Sequence, residues 1–283
     1  FMRKCDICIS LTGYVYAPRI AQKKGAIIIM ERGSKHILEQ KKILEKNPHK
    51  KNEAIPNRNI KCNLKAYQFA NFISVASQHV KESFLLHQYP ENRIFVNPYG
   101  VDLSMFKPLP NIPKKYDVIM VGGWGYEKGC DLIVEAIRKT NYSFIHVGSI
   151  KDVDFPQEKN FTHIDPVDQS KLIEYYNQAK VFILPSRQDG FGMVLSQALA
   201  CNLPIIGSNN CGAPDLKKMV ELPEYITIIK DYTADAIVTA IHTAIKNYEQ
   251  LGERIYAGNA IENLTWEAYG KRYANFLHKI IKQ

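Results

Sequence analysis

The chain has 283 residues, of which 46% are hydrophobic and 23% are charged, as is typical of a globular α/β protein with two domains of ordinary size. This composition excludes disordered and fibrous proteins, and no stretch comes near the roughly 18 consecutive apolar residues of a transmembrane helix. The start of the chain lacks the pattern of a signal peptide, so we expect a cytoplasmic protein.

Positive charge is concentrated at the front of the chain. Residues 1–110 contain 18 Lys and Arg against 8 Asp and Glu, whereas residues 111–283 contain 19 against 20. The first part therefore carries +10 and the rest −1, which together give the net charge of +9. This asymmetry predicts that the first part faces an anionic partner, such as a membrane surface or a phosphate-bearing acceptor.

Short apolar runs alternate with segments of helical period, the βαβα pattern of a mostly parallel sheet covered by helices. In the first part we predict strands at 6–10, 26–30, 72–76 and 93–97, with helices near 14–24, 36–46, 60–70 and 77–88. A proline-rich segment, 106–113, then indicates a linker, and we place a first Rossmann-like domain at residues 1–107. Because a doubly wound sheet usually begins with a strand and a Gly-rich turn, we expect that earlier strands of this domain are missing from the sequence.

A fresh series of elements begins after the linker. We predict strands at 116–121, 143–147, 161–164, 181–184, 204–207 and 225–229. Six strands complete one Rossmann-like domain, which we place at residues 108–264. A last helix, 266–281, carries apolar residues at helical spacing, and we predict that residues 265–283 pack back toward the first domain.

The turn after the first of these six strands is rich in glycine. Gly122, Gly123, Gly125 and Gly129 surround Lys128 and lead into a helix, an arrangement that presents backbone amides and a cation to a phosphate. The spacing does not fit the dinucleotide fingerprint, and the next strand ends at His146-Val147-Gly148 with no acidic residue for a ribose hydroxyl. An NAD enzyme is therefore disfavoured, and a tight turn with an exposed lysine is the structural alternative.

A second candidate segment follows the strand at 181–184. Gly190 and Gly192 precede a predicted helix, so the amides of Met193 and Val194 can point at a phosphate. Asp189 beside them can accept hydrogen bonds from sugar hydroxyls or stabilise a developing oxocarbenium ion. Gln197 lies one turn into the helix on the same face as Met193, where it can reach a polyol such as ribose.

The stretch from Asp189 to Pro204, with its Gly190-Phe191-Gly192 core, resembles the acid-x7-Glu signature of the GT-B retaining glycosyltransferases called group 1 or family 4. Further segments resemble the same family in the expected order. They are the Pro-Tyr-Gly-Val-Asp segment ending at Asp102, the lysine turn at 127–129, the turn at 212–215 and the start of the crossover helix at 265–266.

The resemblance implies a GT-B fold, with two Rossmann-like doubly wound parallel-sheet domains and a C-terminal crossover helix. It implies retaining transfer of a sugar from a UDP- or GDP-sugar to a saccharide or lipid-linked acceptor, in cell-surface polysaccharide synthesis, with no cofactor and no required metal. The roles that it implies are diphosphate contact for Lys128 and for the turn at Gly122 and Gly123, sugar contact for Asp189, ribose contact for Gln197 and base contact for Val167.

Three departures from the family pattern affect the donor site. The family usually has Arg where this chain has Gly123, so one diphosphate cation is absent or supplied elsewhere, and Arg187 is the candidate. Asp189 stands in place of Glu and is one methylene shorter. Gln197 also replaces Glu and lacks the stronger charge-assisted hydrogen bond to a ribose diol.

On the acceptor side, Arg32 and His36 follow a predicted strand end, where open α/β sheets place ligands. Arg32 is a candidate for an acceptor phosphate and His36 for contact with the reacting sugar, whereas a solvated loop with Ser34 as helix cap explains the same residues. A basic run of lysines and one arginine, 41–65, is either a solvated helix face or a surface for anionic membranes.

Two other classes of function remain open. A nucleotide-sugar epimerase or hydrolase of the same fold would act on the donor without an acceptor. A non-catalytic nucleotide-sugar-binding protein is made plausible by the changes at Gly123 and Gln197. Nucleic-acid binding is disfavoured, because the basic residues are not interleaved with aromatic side chains and no recognition helix is evident.

Overall fold

Two parallel β-sheets, one from each part of the chain, form the framework in a computed structural model that describes residues 4–49, 55–251 and 263–282. Lys50 and Lys51 of the predicted basic run lie outside the described residues. Within the described ranges, no helix is both long enough and apolar enough to cross a membrane.

The first sheet has four strands in the order β1-β2-β3-β4, all parallel. Its strands are β1 (Ile7–Leu11), β2 (Ile27–Arg32), β3 (Phe72–Val75) and β4 (Ile94–Val96), and its helices are α1 (Tyr16–Lys23), α2 (Ile37–Glu45), α3 (Asn57–Phe69) and α4 (Gln78–Leu85). Because all four strands run in one direction, Arg32 and the turn after β1 emerge at the same edge of the sheet.

The second sheet has six parallel strands in the order β10-β9-β8-β5-β6-β7. Its strands are β5 (Tyr116–Val121), β6 (Phe144–Val147), β7 (Phe161–Ile164), β8 (Ala179–Leu184), β9 (Ile205–Ser208) and β10 (Ile226–Ile229), and its helices are α5 (Cys130–Arg138), α6 (Gln169–Asn177), α7 (Met193–Ala200), α8 (Ala213–Met219) and α9 (Ala234–Leu251). The strand order is the doubly wound Rossmann order, which reverses between β5 and β8 and opens a crevice at their carboxyl ends.

Helices on both faces bury the central strands completely. Val118, Ile119 and Met120 of β5 and Val181 to Ile183 of β8 have no exposed surface, which is why both strands are continuous apolar runs rather than alternating ones. The core of the second sheet therefore holds the two strand ends of the crevice in fixed positions.

The last helix, α10 (Trp266–Ile281), returns to the first sheet. Its Phe276 stacks on Phe95 of β4 with ring centroids 4.1 Å apart, and Tyr273 and Ile280 are buried against Ile29 of β2. Thr265 caps the helix by accepting a hydrogen bond from the amide of Ala268. The chain thus joins its two sheets both through the linker and through this helix.

Each predicted strand is present, with ends that differ by at most two residues from the prediction. The predicted α/β class with two parallel sheets is therefore confirmed. The boundaries at residues 107 and 264 stay predictions.

Two glycines provide a matched test of this framework. Gly129 has φ of +75°, and a Cβ there would lie 2.4 Å from the carbonyl oxygen of Pro185, whereas a Cβ on Gly270 of α10 would meet nothing within 4 Å. We predict that Gly129→Ala destabilises the fold by about 2 kcal/mol or more, and that Gly270→Ala stabilises it by about 0.5–1 kcal/mol. Thermal unfolding of both variants checks the prediction, and equal unfolding midpoints would contradict it.

Candidate active site

The candidate site lies where the strand order of the second sheet reverses. The glycine-rich turn follows β5, and the segment 185–192 follows β8, so the two meet at the carboxyl edge of the sheet. Gly122 has φ of +124°, and its carbonyl accepts a hydrogen bond from Nε2 of His146 at 2.8 Å. Burial lowers the pKa of His146 to about 4, so the ring is neutral at pH 7 and holds the turn without adding charge.

Helix α7 begins at the opposite side of the crevice. Gly192, with φ of +78°, is its N-cap, and the first amides of a helix have no partner within the helix. Met193 and Val194 contribute those amides, and both residues line the crevice. The sequence thus places a helix N-terminus and a glycine-rich turn around one space, which suits an anion.

Lys128 and Asp189 form an ion pair across this space. Their Nζ and Oδ2 atoms are 2.6 Å apart, and the side chains are 22% and 17% exposed. Burial lowers the pKa of Lys128, but the carboxylates of Asp189 and Glu127 outweigh that effect and the net shift is upward. The lysine is therefore charged at all physiological pH values and is available to an incoming anion.

A cavity of about 290 Å³ surrounds the ion pair. Most of its walls come from the predicted donor residues of the second sheet, and two residues come from the first part of the chain. The walls are formed by Gly33, Tyr99, Val121, Gly122, Lys128, Leu184, Asp189, Phe191, Gly192, Met193 and Val194. The structure therefore brings together most of the residues that the sequence singled out for the donor.

Gln197 lines an adjacent cavity of about 160 Å³, together with Gln169, Asp102 and Trp266. Met193 lies between the two cavities and lines both. The Oε1 atom of Gln197 accepts a hydrogen bond from the hydroxyl of the buried Tyr176 at 2.9 Å. With this oxygen engaged, the amide nitrogen is the group that can donate to a ligand.

Four predicted donor residues line neither cavity, namely Gly123, Val167, Arg187 and Gly190. Arg187 forms a bidentate ion pair with Asp131 at 2.5 and 2.7 Å, and its guanidinium stacks 3.8 Å from the ring centre of Tyr126. Val167 packs against the hydrophobic core of the second sheet. Arg187 does not line the cavity beside Gly123 either, so its side chain does not lie in the position left by Gly123.

The two parts of the chain touch directly at the site. A Cβ on Gly190 would lie 2.0 Å from the carbonyl oxygen of Gly33, so only glycine permits this approach of two backbones. Ser77 donates to the carbonyl of Gly190 at 2.5 Å, and Lys35 donates to Asn210 at 2.6 Å. The loop that carries Asp189 is thus held by residues of the first part.

Arg32 lies at the carboxyl end of β2 and is mostly buried. Its guanidinium donates to the carbonyl of Lys35 at 3.0 Å, to Asn63 at 3.1 Å and to Gln40 at 2.6 Å. All three partners are neutral, so these contacts do not cancel its charge, and burial lowers its pKa. A cavity of about 550 Å³ lies beside it, and Arg58 also lines this cavity.

His36 does not line this cavity or the one around Asp189. It is the N-cap of α2 and stacks on His87 with ring centroids 4.0 Å apart. Burial and the neighbouring His87 lower its pKa to about 3. Its predicted contact with the reacting sugar therefore conflicts with its position in the packed interior, where it caps a helix in the neutral form.

Sequence reasoning missed several residues of the site. Tyr99, Gln169 and Arg58 line the three cavities, and His79 supports Asp189 by donating from Nε2 to its backbone carbonyl at 2.7 Å. Tyr99 follows β4, and a search of every strand end for polar side chains would have found it. The others come from helices whose facing surfaces are set by tertiary packing.

The support by His79 makes stability depend on pH. Burial lowers its pKa to about 4, compared with about 6.5 in an unfolded chain. The unfolded state therefore binds more protons between these values, and the stability contributed by His79 is complete above about pH 6.5 and is lost as the pH falls toward 4. The variant His79→Gln keeps a hydrogen-bond donor but does not titrate. We predict that its free energy of unfolding falls less steeply with decreasing pH, by up to about 1.4 kcal/mol per pH unit.

Thermal unfolding between pH 4.5 and 7 measures this effect. His278→Gln, a change at an exposed position of α10, is the control and leaves the pH dependence as it is in the parent. An unchanged slope for His79→Gln would contradict the assignment.

Comparison with known proteins identifies a family whose sequence model matches this chain. The sequence model of the family "Glycosyl transferases group 1" matches residues 104–260, more than half of the chain. A probable sucrose-phosphate synthase of Thermosipho melanesiensis is 26% identical over 242 residues, which are 76% of this chain and 56% of that protein. A GDP-mannose-dependent phosphatidylinositol monomannoside mannosyltransferase of Mycolicibacterium smegmatis is 23% identical over 74% of this chain and 62% of its own length.

Among solved structures, Anabaena HepE in complex with UDP and glucose superposes with a TM-score of 0.70 at 15% identity, over 93% of this chain and 73% of that one. At this identity the likeness shows the fold alone, and the fold is the GT-B fold that the sequence predicted. The chain spans little more than half the length of the first of the sequence relatives above.

Proposed function

The chain belongs to the group 1 glycosyl transferases, and we propose that it transfers a sugar from a UDP- or GDP-linked donor with retention of configuration. The observation that carries this proposal is the Lys128–Asp189 ion pair, 2.6 Å long, between a glycine-rich turn and a helix N-terminus. A cation and two sets of amides suit a diphosphate, and an adjacent carboxylate suits the hydroxyls of the sugar attached to it.

Donor binding rearranges the ion pair in this proposal. The diphosphate lies between Gly122 and the amides of Met193 and Val194 and takes the ammonium of Lys128 as its counter-charge. Asp189 is then released to accept hydrogen bonds from the sugar and to stabilise positive charge at the anomeric carbon. The leaving diphosphate accepts the proton of the acceptor hydroxyl on the same face, so no protein nucleophile is required.

Neutralisation of the diphosphate is assigned to Lys128 and the helix amides rather than to a metal ion. Gln197 and the cavity that it shares with Gln169 are assigned to the ribose, since an amide nitrogen can donate to a diol oxygen. The transfer reaction should accordingly tolerate a metal chelator.

The acceptor carries an anionic group in this proposal. Arg32 has a buried charge that its neutral partners do not cancel, and Arg58 lines the same cavity, where none of the described lining residues is acidic. Two of the relatives named above have phosphate-bearing molecules in their names. The basic first part of the chain fits an acceptor of this kind. Examples are a saccharide phosphate and a lipid-linked saccharide at the cytoplasmic face of a membrane, as in cell-surface polysaccharide synthesis.

The donor site is tested by removing the ion pair. We predict that Lys128→Ala and Asp189→Asn each lower the rate of sugar transfer at least about 100-fold, because each removes charge stabilisation that acts in the transition state. The double variant Lys128→Met with Asp189→Asn removes both charges of the pair, so neither partner is left as a buried unpaired charge, and we expect it to stay folded and still lose activity. Lys139→Ala, which breaks an exposed ion pair with Asp235, is the control and transfers at the parent rate.

The assay first identifies the donor by thermal shift with UDP, GDP and their sugars, since ligand binding raises the unfolding midpoint. Transfer of labelled sugar to cell extract is then measured with the donor found. Free sugar or an epimer without acceptor would indicate a hydrolase or epimerase instead, and donor binding without any product would indicate a binding protein. Parent-like transfer by the variants would overturn the site assignment.

The acceptor site has its own test. We predict that labelled product is retained on an anion exchanger and that Arg58→Ala lowers its formation about tenfold or more, because one charge-assisted hydrogen bond is lost. Lys65→Ala, at an exposed position of the same helix, leaves product formation unchanged. Neutral product, or equal rates for the Arg58 variant and the parent, would contradict an anionic acceptor.

A further inference from the structure

The two cations that the sequence assigned to the donor diphosphate are both paired with carboxylates. Lys128 contacts Asp189 at 2.6 Å, and Arg187 contacts Asp131 at 2.5 Å. A nucleoside diphosphate ester carries about two negative charges on its bridging phosphates, and Lys128 alone neutralises one of them. A further cation close to the glycine-rich turn would add to the neutralisation that Lys128 and the helix amides provide.

The loop after β6 brings a lysine to this turn. The amide of Trp124 donates to the carbonyl of Ser149 at 2.8 Å, and the amide of Lys151 donates to the carbonyl of Trp124 at 2.9 Å. The two bonds form a short parallel bridge between Trp124 and Ile150. Because Trp124 is completely buried, the backbone of Lys151 is fixed relative to the turn.

The side chain of Lys151 lies directly over Gly123. A Cβ built on Gly123 would be 2.5 Å from Cε and 3.1 Å from Nζ of Lys151. The lysine thus fills the space that a side chain at position 123 would occupy. The glycine at 123 and the lysine at 151 are complementary, since the absence of one side chain makes room for the other.

The ammonium of Lys151 is available to a ligand. Its side chain is exposed, and it makes no ion pair with any residue in the described parts of the chain. The neighbouring carboxylate of Asp152 is engaged elsewhere, because it accepts hydrogen bonds from the amide of Tyr126 and from Asn47. Lys151, Lys128 and the acidic residues Glu127 and Asp152 line one small cavity beside Gly123, which places two cations and two carboxylates at the same turn.

We propose that Lys151 is the second cation for the donor diphosphate, reaching it across Gly123, and this role rests on the proposed function of the site. The phosphate group nearest Gly123 lies under the ammonium of Lys151, while Lys128 holds the group nearest α7. Each lysine then cancels one negative charge, and the Asp189 carboxylate is left to the sugar.

The first experiment compares UDP and GDP with the nucleosides uridine and guanosine, which lack phosphate. We expect Lys151→Ala to weaken binding of the preferred diphosphate about tenfold or more, with nucleoside binding unchanged. Lys151→Arg keeps the charge and retains most of the affinity. Lys159→Ala, at an exposed position of the same loop, is the matched control and binds like the parent.

The second experiment moves the positive charge from position 151 to position 123. Gly123 does not have a left-handed φ, in contrast to Gly122 at +124°, so a side chain at 123 causes no backbone strain. We expect the double variant Gly123→Arg with Lys151→Ala to recover diphosphate affinity to within about threefold of the parent. A general loss of structure in Lys151→Ala would not be repaired by an arginine, so the recovery separates charge from folding.

The outcomes distinguish this inference from the proposed function. Tight diphosphate binding by Lys151→Ala, with weak binding by the Lys128 variant, would overturn the role of Lys151 and leave the donor site intact. A parent protein that binds neither nucleotide would overturn both. Weakened binding that the double variant does not recover would also contradict the role, because the complementarity of positions 123 and 151 requires recovery.

Discussion

The reversal of strand order between β5 and β8 is the constraint on which the site depends. Neighbouring strands on either side of a reversal send their crossover helices to opposite faces of the sheet, so no helix covers the carboxyl ends between them. The glycine-rich turn and the N-terminus of α7 are placed face to face by this topology alone. Because Lys128 and Asp189 lie in the segments that follow these two strands, Nζ of the lysine and Oδ2 of the aspartate are 2.6 Å apart.

Charge at the site is balanced before any ligand binds. Lys128 is paired with Asp189 and Arg187 with Asp131, so the unliganded crevice avoids the high cost of buried unpaired charges. In the proposed function, an anionic donor would exchange with Asp189 for the same lysine, and its binding would free a carboxylate for the sugar. Arg32 differs in having only neutral partners, which makes its cavity the more strongly positive of the two.

The fold and half of the site were predictable because their signals are local. Apolar runs of four to six residues predicted every strand, and glycines beside Lys128 and Asp189 marked the two turns that ligands approach. Arg187 is close in sequence to Asp189, but Asp131, 56 positions away from it, holds its charge. Lys151 and Arg58 carry no local signal, since a surface lysine or arginine gains its role only from what tertiary packing sets opposite it.

The contact between Gly33 and Gly190 links donor binding to the first part of the chain. Gly33 and Tyr99 form part of the wall around Asp189, so the complete cavity exists only while the two sheets are in contact. Ser77 and His79 hold the backbone on either side of that contact. Because Arg32 directly precedes Gly33 in sequence, the walls of the positively charged cavity and of the cavity around Asp189 are connected by a single peptide bond.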